Sequence, residues 1–194
     1  MWLPWQLSDE QIEKMQEAGL QLPSDEIFNT KGESLKDAIV SLDDGGCTGS
    51  FISEKGLLLT NHHCAMGDIQ QHSTVEDDYI RNGFWAQTLP QELPNPGKTA
   101  TLLTDVRNVT RHFEKPLEKV DGRLESEETI DSIKSNILDT LQVPEYHEAE
   151  IKDFFHKNKF YILITKTFQD VRLVGAPPKD VGQFGADKDN WMWP

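Results

Sequence analysis

The residues best suited to do chemistry stand together at Asn61-His62-His63-Cys64, and a second cysteine, Cys47, lies upstream. An imidazole takes and returns a proton near neutral pH, so either histidine is a candidate general base. The even number of cysteines allows one disulfide, but it is equally compatible with two reduced, buried thiols. Zinc held by these histidines and cysteines is disfavoured, because adjacent His-His-Cys gives poor geometry for three ligands on one ion.

Short strands are predicted to position this segment. An apolar run at residues 38–42 ends at the turn cluster Asp43-Asp44-Gly45-Gly46. Residues 47–52 and 57–60 then have the composition of two strands, and the Gly-containing turn between them is typical of a hairpin. The second strand leads the chain directly to the paired histidines.

This hairpin places the strand that carries Cys47 beside the strand that leads to Cys64. A disulfide between the two would close a loop of roughly fifteen to twenty residues, worth about 3 kcal/mol in the chain-entropy model. It would also fix the backbone at His63. A base that must reach a hydroxyl within hydrogen-bond distance needs such rigidity.

The same residues resemble a motif of the chymotrypsin-like serine peptidases. In that family Cys-x-Gly-Ser-hydrophobic leads through a hairpin to Thr-x-x-His-Cys, and the cysteines pair. Here Cys47-Thr48-Gly49-Ser50-Phe51 leads to Thr60-Asn61-His62-His63-Cys64. The resemblance implies a Cys47–Cys64 disulfide and makes the base His63, not His62. As general base, His63 would take the proton of a serine hydroxyl and pass it to the leaving amine.

Further blocks of sequence are distributed from one end of the chain to the other. They are Met1-Trp2-Leu3-Pro4, Ser73-Thr74-Val75-Glu76-Asp77-Asp78-Tyr79, Asn82-Gly83-Phe84-Trp85-Ala86, Val174-Gly175-Ala176-Pro177-Pro178, and Phe184-Gly185 through Asp189-Asn190-Trp191-Met192-Trp193-Pro194. Together with the His-His-Cys segment, they are similar to the N-terminal portion of the bacterial dipeptidyl-peptidases of types 7 and 11. That group releases dipeptides from free N-termini, and it combines a double β-barrel catalytic unit with a helical domain.

This closer resemblance implies two substrate-binding residues, Asn190 and Trp191, which would clamp the α-ammonium group of a peptide. That group is mostly charged at neutral pH, so an amide oxygen can accept its hydrogens and a Trp face can attract the cation. The catalytic Asp and Ser are expected beyond Pro194, with Asp105 as an alternative Asp inside this sequence. This polypeptide alone is therefore expected not to hydrolyse peptides, and no cofactor or metal is expected.

The expected fold is mainly β with a helical insert, as the N-terminal barrel of a chymotrypsin-like double β-barrel peptidase. Short strands with turn signals favour a small barrel or sandwich over a parallel α/β sheet. Residues 1–194 are expected to be the N-terminal part of the peptidase catalytic domain. Its parts are an N-terminal arm, barrel strands and loops, and the helical insert, at residues 1–35, 36–113 with 159–194, and 114–158 respectively.

Three finer expectations concern secondary structure. Ser8 is expected to cap a helix that runs to about Ala18 and ends at Gly19. The stretch 65–98 is expected to be rich in loops because of its prolines. The insert is expected to hold one or two amphipathic helices, broken at Pro144.

Composition disfavours several classes of partner. A formal net charge of -14 and a pI near 4.7 oppose binding to nucleic acid or to anionic membrane surfaces. The expected partners are oligopeptides with a free N-terminus and the remainder of a longer peptidase chain, and a homodimer is left open. The alternative function is a non-catalytic, peptidase-like module that binds peptides.

The start of the chain bears on its location. Residues 1–5 have no basic segment, no apolar run and no small-residue cleavage site, so they are not a signal peptide. Either the protein is cytosolic or a leader has been removed, and the cysteine pair favours the second. The expected location is periplasmic or secreted, with the signal peptide absent from this sequence.

Overall fold

The computed structural model describes residues 3–30, 32–119 and 123–182, with the side chains of residues 123–125 excepted. The fold is mainly β with helices. The α-helices are α1 Asp9–Glu17, α2 Ser24–Ile27, α3 His62–His72, α4 Tyr79–Asn82, α5 Arg111–Leu117, α6 Arg123–Thr140 and α7 Lys179–Gly182. The strands are β1 Ile39–Leu42, β2 Cys47–Phe51, β3 Leu58–Thr60, β4 Phe84–Trp85, β5 Leu93–Pro94, β6 Ala100–Asn108, β7 Glu148–Phe154, β8 Lys159–Phe168, β9 Arg172–Leu173 and β10 Gly175–Ala176.

The chain forms two compact units. The first holds the residues up to Ala38 together with Leu102–Thr167, and the second holds Ile39–Thr101 together with the described residues from Phe168 onward. None of the helices in the described part of the chain combines the length and the apolarity that crossing a bilayer requires. The predicted domain ranges refer to a longer catalytic domain, and they stay a prediction.

The predicted strands around the histidine pair are present in the second unit. Strand β2 pairs antiparallel with β1, with Leu42 opposite Cys47, and with β3, with Gly49 opposite Thr60. A Cβ on Gly49 would stand 2.7 Å from a methyl carbon of Leu58, so the close approach of the two strands requires glycine there. These three strands therefore lie side by side, antiparallel, in the order β3, β2, β1.

The turn between β1 and β2 is left-handed. Asp43 and Asp44 have φ angles of 49° and 54°, and Gly45 follows with φ 102°. Aspartate is one of the residues that tolerates this conformation, because its short side chain can hydrogen-bond locally, and glycine adopts it without a steric cost. The turn cluster predicted at this point therefore forms, and it sets the register of the hairpin.

The first unit has its core between β6, β7, β8 and two helices. Strands β7 and β8 pair antiparallel with Ile151 opposite Ile162, and β8 lies between β7 and β6. Phe113 of α5 stacks on Phe160 of β8, with ring centroids 3.8 Å apart, and Ile130 of α6 is buried in the same cluster. The amphipathic pattern predicted in the insert is thus explained by a helix that covers this sheet.

Strand β7 differs from the sequence-based expectation. One or two amphipathic helices, broken at Pro144, were predicted in the insert, but Glu148–Phe154 is extended. Ala149 and Ile151 turn inward, while Glu148, Glu150 and Lys152 are exposed, and this alternation is the period of two of a half-buried strand. The charged residues at the outward positions make this alternation difficult to recognise in the sequence. The segment forms a strand because the apolar strand β8 pairs with it.

The N-terminal predictions agree with the structure. Ser8 caps α1 through a capping box with Gln11, the helix ends at Glu17, and Gly19 has a positive φ of 107°. Leu3 is buried, and the Trp5 ring packs on Phe28 and on other aromatic rings of the first unit.

Candidate active site

His63 lies on the first turn of α3, where the chain passes from strand to helix. Strand β3 ends at Thr60, Asn61 is still extended, and the Cys64 N–H donates to the Asn61 carbonyl at 3.0 Å. The side chain of His63 is exposed. The sharp turn therefore presents an imidazole to solvent on a fixed backbone, where it can accept a proton from a hydroxyl brought to it.

Cys47 and Cys64 form a disulfide that joins β2 to α3, with Cα atoms 6.0 Å apart. One ring nitrogen of His63 and the two sulfur atoms lie within 4.8 Å of one another, so the ring lies against this bond. The structure thereby decides between the alternatives left by the sequence. Both thiols are consumed in the disulfide, and neither is available as the thiolate that a zinc site would use.

The stretch predicted to be rich in loops, residues 65–98, includes most of α3, and this helix was missed. Its residues Cys64, Asp68 and His72 are spaced by four, which places them on one face of a helix. Ala65 and Ile69 face the core of the second unit, with Leu173 and Ala176. The signals in the sequence were Asn61, a favoured residue type for a helix N-cap, and this spacing of four.

Lys98 is a further residue near the site that the sequence did not reveal. Its ammonium nitrogen lies 2.9 Å from a carboxylate oxygen of Asp43 and 2.8 Å from one of Asp68. The Thr99 N–H donates to the other oxygen of Asp43 at 3.1 Å. The side chain of Lys98 is only 11% exposed, and its pair with Asp68 is the more shielded one, because the Asp68 side chain is 17% exposed and that of Asp43 44%.

These contacts shift two pKa values in opposite directions. Burial alone would raise the pKa of Asp43, but the hydrogen bonds from Lys98 and from the Thr99 N–H outweigh it and hold that pKa below its usual 3.8. Burial alone would lower the pKa of Lys98, but hydrogen bonds to Asp68 and Asp43 raise it above its usual 10.5. Asp43 and Lys98 are therefore both in their charged forms at neutral pH.

His62 has a different environment from its neighbour. It is half-buried, and its ring lies so close to Gly182, at the end of α7, that a Cβ on this glycine would collide with the ring. The structure therefore gives His62 a packing role. The predicted clamp residues Asn190 and Trp191 follow Gly182 in the chain and lie outside the described residues.

Asp105, the alternative triad aspartate, lies on β6 in the first unit, whereas His63 belongs to the second. The carboxylate of Asp105 accepts from the Arg107 guanidinium at 2.7 Å. Asp105 thus has a local partner, and its role as an alternative triad aspartate stays a prediction.

Two of the sequence blocks meet in the second unit. Strand β4, from the Asn82–Ala86 block, pairs with β10, with Trp85 opposite Gly175. A Cβ on Gly175 would be 2.5 Å from the Trp85 ring, and a Cβ on Gly83 would be 2.9 Å from the Ala176 carbonyl oxygen. Blocks that are distant in sequence are thus adjacent in the fold, and the glycines permit that contact.

Comparison with known proteins agrees with this geometry. The family model of peptidase S46 matches residues 1–194. An Asp/Glu-specific dipeptidyl-peptidase of Capnocytophaga gingivalis is 40% identical over 194 residues, which are 100% of this chain and 27% of that protein. A dipeptidyl-peptidase 7 of Phocaeicola vulgatus is 44% identical over 203 residues, covering 100% of this chain and 28% of that protein.

A solved structure shares the fold. The crystal structure of Porphyromonas endodontalis DPP11 in complex with substrate matches with a TM-score of 0.85 and 41% identity, covering 100% of this chain and 29% of that one. The chain thus spans between a quarter and a third of the length of these relatives. Because the family model covers all residues from 1 to 194, the chain belongs to the peptidase S46 family.

Proposed function

We propose that this protein is a serine-type dipeptidyl-peptidase in which His63 is the general base. The observation that carries the proposal is the exposed His63 ring, held against the Cys47–Cys64 disulfide at the first turn of α3. His63 removes the proton from a serine hydroxyl as that oxygen attacks the peptide carbonyl, and it then protonates the leaving amine. Relatives that span the whole chain carry the name of this activity, which supports the proposal.

The remaining parts of the mechanism belong to the same proposal. Asn190 and Trp191 hold the charged N-terminus of the substrate, by an amide oxygen and by a cation–π contact. The catalytic Asp and Ser come from a region that corresponds to the additional length of the relatives, so residues 1–194 alone would not cleave peptides. In the same way, the short antiparallel strands β1, β2 and β3 belong to the N-terminal barrel of a double β-barrel.

A periplasmic or secreted location follows from the same site. A disulfide persists in an oxidising compartment and is rare where thiols are kept reduced. The bond between Cys47 and Cys64 staples the backbone that carries the proposed base. An enzyme that depends on this bond therefore works outside the cytosol.

The proposal is tested by His63→Ala in the longest polypeptide that the gene encodes. We expect kcat for a fluorogenic dipeptidyl substrate to fall by about 10⁴-fold or more, because loss of the base removes most of the triad's effect. The wild type should also be inactivated by a serine-directed covalent inhibitor. Substrates with an acetylated N-terminus should not be cleaved, since they lack the charge that the clamp binds.

His112→Ala is the matched control, because His112 is an exposed histidine on α5. We expect its kcat to stay within about 2-fold of the wild type, as for most surface substitutions. A His63→Ala enzyme with wild-type activity would refute the assignment. Peptide binding by the wild type without any hydrolysis would instead favour the non-catalytic module.

A further inference from the structure

One face of α3 is attached to neighbouring elements at positions that follow one another along the helix. Cys64 is bonded to Cys47 of β2, and Asp68, one turn further, is paired with Lys98. At the next level, a ring nitrogen of His72 lies 2.9 Å from the side-chain oxygen of Asn95, and that asparagine is 6% exposed. The short loop between β5 and β6 therefore contacts the same helix face as the disulfide.

Lys98 differs from an ordinary surface lysine. It is 11% exposed and lies between Asp43 and Asp68, whereas the ion pair between Lys14 and Glu10 joins side chains that are 68% and 75% exposed. Without the ammonium group, two carboxylates on different elements would lie near each other with no cation between them, and their charges would repel. The Lys98 cation thus ties the turn after β1 to the helix α3.

With the disulfide as its only tie besides the core packing of Ala65 and Ile69, α3 would keep some freedom to pivot. A disulfide has several rotatable bonds, so α3 could turn about Cys64 and move the ring of His63 beside it. The tie from Lys98 to Asp68 lies four residues further on, about 6 Å along the helix axis at 1.5 Å per residue. The ties beyond the disulfide, from Lys98 to Asp68 and from Asn95 to His72, fix the direction of the helix, and a general base needs a fixed direction towards the hydroxyl it deprotonates.

We infer that Lys98 is a positioning residue for His63: by bridging Asp43 and Asp68 it fixes the direction of α3 and thereby the imidazole. The inference rests on the proposed function of His63. Lys98 does not contact the reacting atoms, and it acts through the helix. The contribution of Lys98 to the position of His63 is distinct from that of the disulfide, which fixes the start of the same helix.

The test compares Lys98→Met, which keeps the length of the side chain and removes its charge, with Lys98→Arg, which keeps the charge. Both are made in the longest polypeptide that the gene encodes. For Lys98→Met we expect kcat to fall by about 10-fold to 100-fold with KM within about 2-fold, because a displacement of about 1 Å can cost 100-fold. Lys98→Arg should recover most of the loss, and Lys14→Met is the exposed-lysine control that should change neither constant.

A second readout follows the disulfide itself. With α3 free to pivot, Cys47–Cys64 should be reduced several-fold faster by dithiothreitol in Lys98→Met than in the wild type. All rates are measured well below the thermal transition of each variant, so a loss of folded protein is not counted as a loss of kcat.

The two hypotheses fail in different ways. If His63→Ala abolishes activity while Lys98→Met keeps the wild-type kcat, the positioning role is refuted and the proposed function stands. A low kcat in both Lys98 variants also refutes it, because the charge would then not be what matters. If the wild type itself is inactive, the proposed function fails, and an unchanged rate of disulfide reduction in Lys98→Met would refute the tie as well.

Discussion

Gly182 shows how strongly a single residue is constrained in the second unit. Alanine is favoured over glycine inside a helix by about 0.8–1.0 kcal/mol, but Gly182 is the last residue of the short helix α7, where this preference is weak. The ring of His62 occupies the space that an alanine Cβ would take. We therefore predict that Gly182→Ala lowers the free energy of unfolding by about 1–3 kcal/mol, the usual cost of overpacking.

Gly67→Ala is the matched control for this prediction. Gly67 lies inside α3, and a Cβ there would have open space around it within 4 Å. We expect this variant to be more stable than the wild type by about 0.5–1 kcal/mol in urea denaturation. A second check is Gly182→Ala combined with His62→Ala, in which the collision is relieved. Equal stability of Gly182→Ala and the wild type would contradict the packing role of His62.

At the scale of elements, loss of the disulfide should directly lower the free energy of unfolding. Replacing Cys47 and Cys64 together by alanine releases a loop with a sequence separation of 17 residues. We predict a loss of about 3 kcal/mol in the free energy of unfolding, from the entropy that the unfolded chain regains. Urea denaturation of the oxidised wild type, the reduced wild type and the double variant measures it. An oxidised protein no more stable than the reduced one would contradict the prediction.

The elements near the site were predicted well where the pattern was local. The strands β1, β2 and β3 and their turns follow from short apolar runs separated by Gly and Asp, and these choices depend on neighbouring residues only. The helix α3 was missed because its inward face is narrow, with Ala65 and Ile69 as its core residues. Its other anchors are a covalent bond and an ion pair, which a hydrophobic pattern does not show.

Long-range partners explain the other differences. The strand β7 becomes a strand because β8 pairs with it, with Ile151 opposite Ile162, and this pairing is invisible in the local sequence. Lys98 could not be identified in advance for the same reason, since it is one of 19 Lys and Arg residues and its partners lie far along the chain. The disulfide was predicted correctly because several family residues agree at fixed spacing, and the catalytic role of His63, which rests on the same residues, stays a prediction.

At the scale of the whole molecule, two electrostatic effects respond to acid in opposite directions. The chain carries a formal net charge of -14 at pH 7, so protonating carboxylates relieves a general repulsion. Protonation of Asp43 has the opposite effect on stability, because Lys98 and Thr99 hold the pKa of this carboxyl below 3.8 in the folded state. Its contribution to stability is therefore present above the unfolded-state pKa, and it is lost as the pH falls through the folded-state pKa.

Comparing the wild type with Asp43→Asn isolates the second effect, because the two proteins share nearly all of the general repulsion. We predict that the wild type is the more stable at about pH 7 and that the difference shrinks as the pH falls below about 4. Asp44→Asn on the same left-handed turn is the control, since Asp44 is exposed and asparagine tolerates its φ of 54°. Urea denaturation across this pH range gives each free energy of unfolding. A difference between the wild type and Asp43→Asn that stays constant down to about pH 2 would mean that the bridge from Lys98 does not govern this carboxylate, and α3 would then lack the tie on which the positioning of His63 depends.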